Sequence, residues 1–132
     1  MNQNSPRVID VVIPAFNALP LVGKTVTALL EQRLPTGFSL TITVVDDGSS
    51  DGTGDYLEEH FGDRILVLRH DPNRGRSAAC NTGAERGAGE FLLFLDSDCV
   101  PANQCFVLEH IHALEDGAKT SCGPVSSEKP GF

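Results

Sequence analysis

The chain predicts an α/β fold, a Rossmann-like, open and mostly parallel sheet with helices on both faces. Three observations carry that expectation. Short apolar, β-branched runs lie at residues 8–13, 40–45, 65–68 and 91–95, and near-continuous runs of this length suit strands buried on both faces. Segments with helical spacing separate the runs, and a last short strand is expected at 119–123. This alternation builds a parallel sheet through right-handed crossovers. Finally, 132 residues hold one compact domain, residues 1–132, around one core.

After the first strand, Val22, Val26, Leu29 and Leu30 fall on one face of a helix. The second strand runs into Asp46 and Asp47, and Ser50 or Asp51 caps a helix over 51–61 that turns Tyr56, Leu57 and Phe61 inward. The third helix, over 75–86, is drawn on an Ala-rich, polar segment with a weak apolar signal. The fourth starts at Pro101, a residue suited to a first helical turn, and Phe106, Val107, Leu108, Ile111 and Leu114 support it to an end near Asp116.

With 40% hydrophobic and 21% charged residues, the composition is globular rather than disordered. The net charge of −8, without a dense Lys/Arg run, argues against a nucleic-acid partner. A phosphorylated ligand then needs a divalent cation or helix N-terminal amides to offset the repulsion. Residues 1–9 lack the apolar core of a secretory signal, and no run is long enough to span a bilayer. Cys80, Cys99, Cys105 and Cys122 show no zinc-type spacing, so they read as reduced thiols of a cytoplasmic chain.

Ligands of open α/β sheets sit beyond the carboxyl ends of the strands, which selects residues 14–17, 46–52 and 96–99. In Val44-Val45-Asp46-Asp47-Gly48-Ser49-Ser50-Asp51-Gly52 two adjacent carboxylates end a buried strand. Side chains alternate along a strand, so one of them faces the crevice, where it can accept a hydrogen bond from a nucleobase N–H or a ribose hydroxyl. Ser49, Ser50 and Asp51 read as a turn that caps the next helix. In Phe91-Leu92-Leu93-Phe94-Leu95-Asp96-Ser97-Asp98 the chain is expected to stay extended, with both carboxylates on one side. Two such hard oxygens suit Mg²⁺ or Mn²⁺, completed by water and phosphate oxygens. His110 and His112 face different directions, and His60 and His70 belong to no constellation.

Other motifs fit poorly. Gly23-Lys24-Thr25 imitates a P-loop NTPase, but Ala18 stands where the first glycine is required. Asp96-Ser97-Asp98-Cys99-Val100 matches the nucleophile motif of haloacid dehalogenase-like phosphatases, yet lies late in the chain, where that family has it early. Gly52-Thr53-Gly54 lacks the third glycine of a dinucleotide fingerprint.

Taken together, Val11-Val12-Ile13-Pro14-Ala15-Phe16-Asn17, the Asp46-Asp47 stretch, Asn73-Arg74-Gly75-Arg76-Ser77-Ala78-Ala79-Cys80-Asn81-Thr82-Gly83 and Gly89-Glu90-Phe91 through Asp98 resemble glycosyltransferase family 2 over residues 8–125. The resemblance implies a GT-A fold and inverting transfer of a sugar from a nucleotide diphosphate donor to an acceptor the chain does not name. It implies that Pro14, Ala15 and Phe16 form the base-binding edge beside Asn17, with Asp47 and Asp46 accepting from the base. Arg76 would approach the base or a phosphate, Asp96 and Ser97 would face the ribose, and Asp98 with Asp96 would hold Mg²⁺ or Mn²⁺. From the residues alone, Asn17 can equally cap the first helix and Phe16 can belong to the core.

Cys80 departs from the family, which commonly shows Arg there. The family's catalytic base lies in a later segment, and Glu109, Glu115, Asp116 and Glu128 do not match it. The base is therefore expected beyond the end of this chain, which reads as the donor-binding portion of a truncated domain with its acceptor half absent. Exposed apolar surface would then favour a homo-oligomer or a missing C-terminal half. The alternative is a nucleotide-sugar-binding module without turnover.

Overall fold

The structure, a computed structural model, describes residues 5–117. In chain order it contains β1 (Arg7–Ala15), α1 (Leu21–Leu30), β2 (Phe38–Asp47), α2 (Thr53–Phe61), a 3-10 turn at Gly62–Arg64, β3 (Leu66–His70), α3 (Arg76–Arg86), β4 (Phe91–Phe94) and α4 (Phe106–Glu115). The strand expected at 119–123 lies outside the described residues. The four strands pair in the order β3-β2-β1-β4, all parallel.

Alternation along β1 sorts the core into two layers. Ile9, Val11, Ile13 and Ala15 point to one face, where they meet Val22, Val26 and Leu29 of α1, Leu57 of α2 and Ile111 of α4. Val12 and Val45 point to the other face, against Ala79 of α3. A Cβ built on Gly83 would lie 2.3 Å from Val12 Cγ1, so α3 rests on the sheet through its small residues. That close approach explains why α3 carries so little apolar signal: backbone proximity takes the place of large side chains.

Three expectations are corrected. The 91–95 run is not buried on both faces: Phe91 and Leu93 pack on the core, but Leu92 and Phe94 are each 47% exposed, because on that face α3 covers β1 and β2 and, among the described residues, β4 is the last strand of the sheet. The fourth helix begins at Phe106 rather than Pro101. Its first turn is completed from α1's end, where Gln32 Oε1 accepts Val107 N at 2.9 Å, a cap supplied by tertiary structure that no local reading could place. Helix α2 begins at Thr53, after Gly52 in the left-handed region (φ 88°), and Asp51 Oδ1 accepts Thr53 N at 3.0 Å from just outside it.

At the amino ends of the strands, the Arg7 guanidinium sits over the rings of Phe38 and Phe91, 4.8 and 5.4 Å from their centroids. It also pairs with Glu90 and Glu115, so one side chain ties β1 to β2, β4 and α4. No helix among the described residues is long and apolar enough to cross a membrane.

Candidate functional site

Strands β2 and β3 lie to one side of β1 and β4 to the other, so the chain reverses direction across the sheet beside β1. A crevice opens at the carboxyl ends of strands at such a switch point. A cavity of about 530 Å³ occupies it, lined by Pro14, Ala15, Phe16 and Asn17 after β1, Asp47, Asn73, Gly75 and Arg76, and Asp96, Ser97 and Asp98 after β4. Four chain segments far apart in sequence meet there. A second cavity, about 640 Å³, lies near the opposite strand ends by Val8 and Gly89. Of its two acids, Asp10 and Asp63, Asp10 is already engaged by Thr41 Oγ1 and Gly89 N.

Of the two adjacent carboxylates, Asp47 reaches the cavity and Asp46 turns to the opposite side of β2. There Asp46 Oδ1 accepts Ser49 N at 3.1 Å, and a Cβ on Gly54 would meet its Oδ2 at 2.4 Å. Asp47 is buried and densely bonded. Its Oδ1 accepts Arg74 N and contacts His70 Nδ1, its Oδ2 accepts Gly75 N, all at 2.8 Å, and its carbonyl accepts Asn73 Nδ2. Burial by itself would raise this carboxyl, but the bonds from Arg74 N, His70 and Gly75 N prevail and hold it below the ordinary value of 3.8. The ionised carboxylate only accepts, so Nδ1 carries the proton of the His70 contact.

His70 is the residue that the sequence reading missed. Buried at the end of β3, it joins Asp47 through Nδ1 and Thr82 Oγ1 through Nε2 at 2.9 Å, linking β2, β3 and α3. No local pattern marked it: β3 is parallel to β2, and the pair Asp47↔His70 closes that register. Seeing it required the strand to run two residues past the apolar run that ends at Leu68.

The β1 loop is stitched to the β2 loop. Asn17, at φ 47°, uses Oδ1 to accept Ser50 N (2.8 Å) and Asp51 N (3.2 Å), while its own N donates to Ser49 Oγ. Ala18 N donates to Thr53 Oγ1 and Leu19 N to Asp51 Oδ2. Asn17 therefore caps no helix of its own; it organises the turn before α2 and borders the cavity. Phe16 is 54% exposed at the cavity wall, outside the core.

Beyond β4 the chain does not stay extended. Cys99 N donates to Asp96 O at 3.0 Å, a turn that swings Asp96 and Asp98 together. The buried Thr25 hydroxyl of α1 donates to Ser97 O at 2.7 Å and pins the middle of that turn. Ligand atoms of Asp96, Asp98 and Cys99 lie within 4.8 Å of one another. Burial first, then the charges of Asp98 and Asp96, push the Cys99 thiol up, and the two aspartates offer carboxylate oxygens. Such a hard donor set fits Mg²⁺ or Mn²⁺. Across the turn, the Arg76 guanidinium pairs with Asp96, which holds Arg76 above its usual range.

A parallel sheet with carboxylates on both sides of its switch point matches the Rossmann-like GT-A class. The family model described as Glycosyl transferase family 2 matches residues 10–131. Glycosyltransferase AglE of Haloferax volcanii is 34% identical over 117 residues, 87% of this chain and 36% of that protein. The putative teichuronic acid biosynthesis glycosyltransferase TuaG of Bacillus subtilis is 36% identical over 97 residues, 72% of this chain and 37% of that protein. Among solved structures, the mannosyltransferase PcManGT of Pyrobaculum calidifontis, in complex with GDP-Man and Mn²⁺, superposes with a TM-score of 0.76 at 26% identity, over 86% of this chain and 33% of that one. The chain belongs to glycosyltransferase family 2. It spans a little over a third of the length of these two curated relatives.

Proposed function

We propose that this chain forms the nucleotide-sugar donor site of an inverting, divalent-metal-dependent glycosyltransferase. The observation that carries the reading is the single switch-point cavity, which gathers Asp47, Arg76, Asp96 and Asp98 from separate segments. The relatives' names favour a transferase over a binding module without turnover, and the GDP-Man and Mn²⁺ of PcManGT support a nucleotide sugar and a divalent ion as ligands.

In this reading the nucleobase lies along Pro14, Ala15 and Phe16, its N–H directed at Asp47, whose Oδ2 takes one donor from the protein. Asn17 borders the base, and Asp46 supports that wall through Ser49. Ser97 and Asp96 face the ribose, and Asp98 with Asp96 holds Mg²⁺ or Mn²⁺. A bound divalent ion would supply Lewis-acid stabilisation of charge on the leaving diphosphate. The acceptor hydroxyl attacks the anomeric carbon as the diphosphate leaves, with a base from outside the described residues taking its proton. Free Cys80, Cys99 and Cys105 accord with work in the cytoplasm.

Calorimetric titration of UDP, GDP, CDP and dTDP, each with and without Mn²⁺, tests the reading. One nucleotide should bind in a metal-dependent way, and Asp98→Ala should remove the metal dependence while Asp47→Ala removes the base preference. A folded wild-type chain that binds none of the four would overturn it.

A further inference from the structure

Arg76 opens α3, and its guanidinium crosses the cavity mouth to Asp96. The two side chains are 63% and 48% exposed. An ion pair this wet shifts an equilibrium by at most about fivefold, so it is easily exchanged. Both partners line the cavity, and Asp96 belongs to the only group of possible metal-ligating side chains found among the described residues. A divalent ion drawn to Asp96 and Asp98 therefore meets a guanidinium already on one of its oxygens. A diphosphate in the same cavity offers that guanidinium a stronger, bidentate partner.

Resting on the donor-site reading, we propose that Arg76 is an exchangeable counter-charge that makes metal and nucleotide bind together. Before ligand arrives it neutralises Asp96 and weakens binding of the ion alone. When a nucleotide diphosphate enters, Arg76 moves to the phosphates and frees the Asp96 oxygen for the ion. Each ligand thereby raises the affinity for the other by the same factor, as linkage requires. The device also answers the charge problem of an acidic chain. Asp96 is never left unopposed beside an incoming anion.

The test is calorimetric titration of the full chain and Arg76→Gln with Mn²⁺ alone, and with UDP and GDP at zero and saturating Mn²⁺, Arg76→Lys serving as the retained-charge control. Arg76→Gln should bind Mn²⁺ alone about threefold more tightly and nucleotide with Mn²⁺ on the order of tenfold more weakly. The coupling between the ligands should shrink accordingly, with Arg76→Lys between the two. Weaker nucleotide binding with Mn²⁺-alone binding unchanged would make Arg76 a plain phosphate contact and overturn the exchange. Metal-dependent nucleotide binding that is lost in Asp98→Asn but unaltered in Arg76→Gln would overturn it too, leaving the donor site intact. Failure of the wild-type chain to bind any nucleotide with Mn²⁺ would remove both readings.

Discussion

At the residue scale, the centre of the site is a carboxylate that cannot move. Asp47 takes donors from His70, Arg74 N and Gly75 N, so the wall made by residues 73–75 is built onto it. Replacing His70 by Leu would leave Asp47 buried with one donor fewer. Urea unfolding at neutral pH should show a loss of about 1–3 kcal/mol. The contacts also dictate an acid limb. Because the folded-state carboxyl is held below 3.8, its stabilisation is fully present above that value and is lost as pH falls from there through the lowered folded-state value. His70→Leu removes one of the lowering contacts, so its stability should fall less steeply over the same window. An acid limb identical in wild type and variant would show that His70 does not help hold Asp47 ionised. The motif Asp46-Asp47 was legible in the sequence, whereas the partner was not, because it arrives from another strand.

At the element scale, α3 shows how a helix can be real and still poorly signalled. It buries Ala79 and Gly83, one turn apart, and so approaches β1 closely. Gly83→Ala would ordinarily gain helix propensity, by about 1 kcal/mol. Here the new methyl would meet Val12 Cγ1 at 2.3 Å. Overpacking of this kind costs about 1–3 kcal/mol, so the net change should be neutral to destabilising, never the gain that propensity alone predicts. A rise in the urea midpoint of Gly83→Ala would show that α3 can lift off the sheet. The start of α4 carries the same lesson. Pro101 is a sound local signal, but Gln32 at the end of α1 sets where Val107 N finds its acceptor.

At the scale of the whole molecule, the sheet is covered unequally. One face meets α1, α2 and α4, while the other meets α3, which leaves Leu92 and Phe94 of β4 exposed beside it. Exposed apolar side chains on β4, the last strand of the sheet among the described residues, favour association. Sedimentation should therefore show a concentration-dependent rise in mass that Leu92→Thr together with Phe94→Thr reduces. Equal, concentration-independent monomer behaviour in both would leave those side chains simply solvated. Because neither Leu92 nor Phe94 lines the cavity, this double change should leave nucleotide titrations unaltered.

What the sequence by itself determined is the alternation of strands and helices, the parallel sheet, and the carboxylates at the ends of β2 and β4. These follow from local physics: apolar runs, helical spacing and the side-chain alternation of extended chain. Tertiary structure decided which of Asp46 and Asp47 faces the cavity, that His70 supports it, that Asp96 and Asp98 converge through a turn pinned by Thr25, and that Arg76 meets Asp96. The links His70–Asp47, Thr25–Ser97 and Arg76–Asp96 pair residues distant in sequence, brought together by the order and register of the strands, which no local pattern encodes.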